Sequence, residues 1–244
     1  MIRTLHMALI VLGLLVHPAI AQPTQPVTLR FDVRYGPFRP ARLRLDIRET
    51  AQTYAATGEV RSRGLLGLLR PFYFDLRVEG QRAGDTLRPG TYRGNMDTGW
   101  RQVRVRMQYV DGLPEIQSIA PDEPRRPWSV NPADLAGTVD LMSALYRVAR
   151  PQPRAGLCGW SLDTFDGRRH ARIQLDAAPP DPDAGRVTCQ AAYLRVAGYA
   201  PGDLADRRSY PFTLTYAEDP AGLWQLAQAV AQTPYGRVRL LRQD

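Results

Sequence analysis

The sequence contains no lysine. Its 32 basic residues are all arginine, and against 24 acidic residues they leave a formal charge of +8. Histidine is nearly as scarce: of three, two fall within the first 21 residues, which leaves His170 for the remainder of the chain. Any Ser-His-Asp or Cys-His mechanism would have to use that ring, and no Gly-x-Ser-x-Gly elbow accompanies it. Cysteine stops at Cys158 and Cys189, with neither C-x-x-C spacing nor enough histidine for a usual metal site. No metal, no cofactor and no catalytic residue is expected. After the N-terminal segment no stretch approaches the roughly 20 apolar residues of a spanning helix, so no transmembrane segment is expected there.

The start of the chain reads as an export signal. Arg3 is followed by an apolar run from Met7 to Val16, too short to span a bilayer, and by Ala19-Ile20-Ala21, the small-x-small pattern of a cleavage site. Cleavage after Ala21 divides the chain into a signal peptide (1–21), a flexible tail (22–26) and one β-rich domain (27–244). The residue after the cut is Gln22 and not cysteine, so the expected location is the periplasm without a lipid anchor. In that oxidising compartment Cys158 and Cys189 should pair, stabilising the fold by roughly 3–4 kcal/mol in the chain-entropy picture.

Alternation of apolar and polar residues dominates from there on, beginning in Val27-Thr-Leu29-Arg-Phe31-Asp-Val33-Arg-Tyr35 and resuming in Leu43-Arg-Leu45-Asp-Ile47-Arg. Such a period places one face in a core and the other in water. Further strands are expected near 53–60, 72–79, 86–94 and 103–110. Asp111-Gly112 is a strong hairpin signal that pairs Met107 with Ile116. Asp166-Gly167, read as a second two-residue turn, sets Leu162 against Ala171, Trp160 against Ile173 and Asp163 against His170. One helix should follow Asp140 as N-cap, with Leu141, Met142, Leu145, Val148 and Ala149 as its apolar stripe and Pro151 as its stop. A weaker helical pattern runs from Pro220 to Gln232. The arginines alternate with apolar residues along most strands, as on a solvated sheet face; export argues against a nucleic-acid partner, while anionic lipid surfaces remain open.

Gly64-Leu-Leu-Gly-Leu-Leu, Gly137-Thr-Val-Asp140-Leu-Met-Ser143-Ala-Leu, and Cys158 followed by Phe165-Asp-Gly167-Arg-Arg and then by Cys189 together resemble the exported bacterial proteins grouped as domain of unknown function 3108. The resemblance covers most of the chain after the signal. It implies a mainly β fold, a single curled antiparallel sheet or half-barrel with one packed helix, of the kind seen in periplasmic carriers. It brings no catalytic residues with it, and fold alone does not define function.

The segment from Gly64 to Phe74 fits neither strand alternation nor helix length. Its Leu65, Leu66, Leu68, Leu69, Phe72 and Phe74 are the candidate ligand-binding residues, as an apolar flap; a plug for the open sheet end and insertion into a membrane surface are the other readings. Asp163 and His170 read as an exposed cross-strand ion pair, and Asp-Gly-Arg-Arg as a hairpin turn in preference to an anion site. The function expected is a non-enzymatic envelope protein binding a lipid, another apolar or amphipathic ligand, or an envelope protein partner in the concave face of the sheet. A carboxylate-dependent hydrolase of an envelope polymer and a purely structural envelope factor are the alternatives.

Overall fold

The computed structural model describes residues 26–69, 71–177, 185–233 and 236–243, without the side chains of Leu65 and Leu66. The expected signal peptide and nearly all of the expected tail lie outside the described residues. The strands are β1 (Val27–Tyr35), β2 (Phe38–Glu49), β3 (Thr53–Ser62), β4 (Tyr73–Ala83), β5 (Thr86–Asp97), β6 (Gln102–Val110) and β7 (Leu113–Ala120), followed by β8 (Trp160–Phe165), β9 (His170–Leu175), β10 (Arg186–Ala197), β11 (Ser209–Glu218), β12 (Trp224–Thr233) and β13 (Gly236–Gln243). Helices α1 (Gly64–Leu69), α2 (Leu141–Ala149) and α3 (Pro201–Asp206) are short.

All thirteen strands form one antiparallel sheet in the order β7-β6-β5-β4-β3-β2-β1-β13-β12-β11-β10-β9-β8. The chain runs as a meander from β1 to β7 and again from β8 to β13, and the first strand then pairs with the last, Phe31 opposite Arg242. Strands β7 and β8 are the two ends of the sheet, and the segment between them lies across the gap. Gly137 N–H donates to Gly112 O in the β6–β7 turn, and Val139 bridges to Thr164 on β8. The sheet is thus curled into a nearly closed barrel, and Val139 pairs with part of the free β8 edge.

The alternation drives the curl. On β2, Ala41, Leu43, Leu45 and Ile47 are buried while the intervening arginines face outward, and β6 buries Val105, Met107 and Tyr109 in the same way. One outward position departs from this pattern. Asp32 is buried on the outer face because Arg39 and Arg42, each 3.3 Å away, fold over it.

Inside the curl sits α2. Asp140 caps it by accepting from the amides of Met142 and Ser143 at 2.9 Å each. Tyr146 stacks on Tyr54 at 4.6 Å between ring centroids, and Tyr216 donates to Val148 O from the opposite wall. Of the expected stripe, Met142, Val148 and Ala149 are buried and Leu141 and Leu145 half-buried, while Ser143, Ala144, Tyr146 and Arg147 are buried as well, because walls on both sides enclose the helix. Gly58 lets it approach β3: a Cβ there would stand 2.9 Å from Met142 Sδ.

Three expectations are corrected. The helical pattern from Pro220 to Gln232 resolves into a turn and strand β12, because β11 and β13 both need a partner between them; those ladders override the helix propensity of Leu226, Ala227, Ala229 and Ala231. The segment Gly64–Leu69, read as irregular, is α1. The turn at Asp166 spans four residues, since its carboxylate accepts from the amides of Arg168 and Arg169 and so winds in two more residues. Leu162 therefore faces Ile173, Trp160 faces Leu175, and Asp163 faces Arg172. The slip is by two residues, so every side chain keeps its expected face. The hairpin at Asp111-Gly112 pairs Met107 with Ile116 as expected.

Candidate functional site

In an antiparallel meander, alternate turns lie at the same end of the sheet. The β1–β2 turn (36–37), the β3–β4 connection with α1 and the β5–β6 turn (98–101) therefore share one rim. Several of the most exposed large apolar side chains gather there: Phe38 is 68% exposed, Leu68 83%, Leu69 77% and Trp100 79%. Exposed apolar groups gathered at one place are the kind of surface on which ligands and partners dock.

Between the β1–β2 hairpin and α1 lies a cavity of about 470 Å³, lined by Tyr35, Phe38, Arg39, Pro40, Arg63, Gly64 and Leu69. The hairpin forms because Gly36 takes φ +56° beside Pro37, which leaves Tyr35 and Phe38 as a cross-strand pair at the tip. Arg63 N–H donates to Pro40 O at 2.7 Å and sets the base of α1 against β2. Two guanidiniums border an otherwise apolar wall. Arg39 leans toward Asp32, whereas the Arg63 side chain has no carboxylate partner among the described residues.

Of the residues expected to bind ligand, Leu69 lines this cavity and Leu68 stands beside it in the open. Phe72 and Phe74 do not line it. They are half-buried, share the inward parity of Val78, and meet edge to face at 6.3 Å. Leu65 and Leu66 belong to α1, and their side chains lie outside the described residues. Tyr35, Phe38, Arg39 and Arg63 were missed by reading the hairpin only as strand end and turn. Two aromatics flanking Gly36-Pro37 were the available signal, since a hairpin tip has no core to bury them.

The catalytic candidates do not assemble into a centre. His170 Nε2 lies 3.0 Å from Asp163 Oδ1, but Arg172 takes both oxygens of that carboxylate at 3.0 Å each. Burial pushes the Asp163 pKa up, and the hydrogen bonds from Arg172 and His170 more than offset this, holding it below the usual carboxylate range. A carboxylate engaged in this way is an ion-pair partner of an arginine. Glu59 and Asp75 stand opposite each other across β3 and β4, and Asp75 is bound by Arg61 at 2.5 Å. Among the described residues no group of three His, Cys, Asp or Glu could hold a metal ion, and no helix is long and apolar enough to cross a membrane.

Cys158 and Cys189 are joined by a disulfide, with Cα atoms 5.6 Å apart. It ties the entry to β8 to β10, spanning β9 between them, at a point where Cys189 is fully buried.

These features define a nearly closed antiparallel β-barrel folded round a helix, with a largely apolar cavity at its rim and no catalytic centre assembled among the described residues. The chain matches the family described as "Protein of unknown function (DUF3108)" over residues 30–178, from β1 through β9, and belongs to it. No curated protein matches the chain. Among solved structures it is similar to a beta-barrel-like protein of domain of unknown function DUF1849 from Brucella abortus, at 11% identity and a TM-score of 0.46, covering 90% of this chain and 96% of that one.

Proposed function

We propose that the protein is a non-catalytic binding protein of the cell envelope, exported with cleavage after Ala21, that holds an amphipathic ligand with an apolar chain and an anionic head. The observation that carries this reading is the rim cavity, whose volume lies in the range of roughly 300–1,000 Å³ usual for small-molecule sites. Its Tyr35, Phe38, Pro40 and Leu69 offer an acyl chain an apolar wall, and the forked guanidiniums of Arg39 and Arg63 offer donors to a carboxylate or phosphate. The concave face expected to hold the ligand is filled by α2, so the proposed site moves to the rim.

Uptake of a fluorescent long-chain fatty acid by the purified protein tests the reading. The double variant Phe38→Gln, Leu69→Gln should lose uptake. Both side chains are mostly exposed, so its stability should change by less than about 1 kcal/mol, against the roughly 2–5 kcal/mol typical of a buried leucine. Absence of uptake by the unaltered protein, or full uptake by the double variant, refutes the site. N-terminal sequencing of the exported protein, beginning at Gln22, tests its location.

A further inference from the structure

The outer face of the sheet over β3 to β7 carries a groove of about 730 Å³ that is separate from the rim cavity. Three of its arginines lie in one cross-strand row. Arg77 on β4 is directly opposite Arg93 on β5, and Arg93 is directly opposite Arg106 on β6. Arg104 stands beside them on β6, opposite Asn95. Directly opposed side chains have Cβ atoms about 4.5–5.5 Å apart, and like charges so placed destabilise a sheet.

Some arginines on the same face are matched with acids: Arg44 with Asp46 and Arg42 with Asp32 outside the groove, and Arg61 with Asp75 at its edge. Arg77 also has a partner, Glu79 at 2.9 Å. Arg93, Arg104 and Arg106 have no carboxylate partner among the described residues. The groove's own acids are Glu59 and Asp75, against five arginines. The face thus holds an excess of positive charge in a concave place, where fields focus and anions concentrate.

We propose that this groove binds an oligoanion, a ligand presenting two or more phosphate groups, through the row Arg77, Arg93 and Arg106 with Arg104 at its side. A guanidinium fork matches two phosphate oxygens at once. With strands about 4.8 Å apart, the row spans roughly 10 Å from its first to its third fork, a length that adjacent phosphates fill and a single phosphate does not. The bound anion would also cancel the repulsion that the row carries when empty.

The test uses two probes on the whole purified protein: inorganic tripolyphosphate, and phosphatidylcholine vesicles with and without cardiolipin, whose headgroup holds two phosphates. Tripolyphosphate is expected to bind, to raise the melting temperature, and to lose affinity as salt is added. Arg93→Gln and Arg106→Gln should each weaken binding at least fivefold. Without ligand, each should melt at or above the unaltered protein, because one of three like charges is gone. Arg88→Gln, on β5 outside the groove, should bind normally. Vesicle binding that tripolyphosphate displaces assigns the phosphates to a lipid surface; tripolyphosphate binding without vesicle binding assigns them to a soluble ligand. The proposal is overturned if neither probe binds, if both groove variants bind like the unaltered protein, or if both melt well below it without ligand, since the arginines would then be structural.

Discussion

Asp140 is buried completely, with no cation against its carboxylate among the described residues, and its titration should be visible in the stability of the whole protein. One oxygen accepts from the amides of Met142 and Ser143, and the other accepts from Ser143 Oγ at 2.6 Å. Ser143 Oγ lies 2.7 Å from Tyr54 Oη; with the serine proton given to Asp140, the tyrosine donates to the serine. Burial pushes the Asp140 pKa up and these hydrogen bonds pull it down. Burial prevails, and the pKa stands at about 6, against an ordinary 3.8. A difference of about two units corresponds to about 3 kcal/mol. Because the folded-state pKa is raised, the folded protein holds a proton that the unfolded chain has released. The associated stability is present in full below pH ~4 and is lost as pH rises to about 6. Asp140→Asn keeps an acceptor for the two amides and cannot titrate. Urea unfolding of both proteins from pH 3.5 to 7.5 isolates this carboxylate, since every other group titrates in both. Relative to the variant, the unaltered protein should lose about 3 kcal/mol across that window. Parallel stability curves, or a relative gain as pH rises, would refute the reasoning, for the hydrogen bonds and the helix terminus would then outweigh burial.

Two further substitutions probe the packing. Asp85 accepts from Arg147 at 3.1 Å and from Arg150, two nearly buried arginines beneath the β4–β5 turn. Asp85→Ala should cost about 1–3 kcal/mol by chemical denaturation, below the roughly 3–5 kcal/mol of a fully buried pair because Asp85 itself is half-exposed; an unchanged midpoint would show that the two cations are neutralised elsewhere. At Gly80, where the β4–β5 register shifts, a Cβ would lie 2.6 Å from Arg88 O and 2.9 Å from Pro89 Cα, both backbone atoms. Gly80→Ala should therefore lower stability by about 1–3 kcal/mol, and a neutral effect would mean that the bulge relaxes at no cost.

The local structure of this protein was written in its residue order. Period-two alternation in β1, β2 and β6 sorts side chains between core and water, whatever the strands pair with. Asp140 and Pro151 bound α2 because a cap and a missing donor act within a few residues of themselves. Even the misjudged turn at Asp166 left every side chain on its expected face, since a slip by two preserves parity. The strand at β12 was not legible, because its leucine and alanines suit a helix and only the two neighbouring ladders impose the extended form.

Beyond Leu68 and Leu69, legible as exposed apolar residues of Gly64–Leu69, the proposed sites were decided in three dimensions. No local rule pairs β1 with β13, and that pairing, with the segment across the β7–β8 gap, turns a sheet into a nearly closed barrel. The enclosure puts α2 where a ligand was expected. The meander's alternation of turns brings Phe38 of one hairpin to Leu69 of another connection, so the rim cavity exists only once three strands have aligned. The arginine row likewise depends on register: Arg77, Arg93 and Arg106 are separated in sequence by more than ten residues each, and they become neighbours because hydrogen-bonded ladders place them opposite one another.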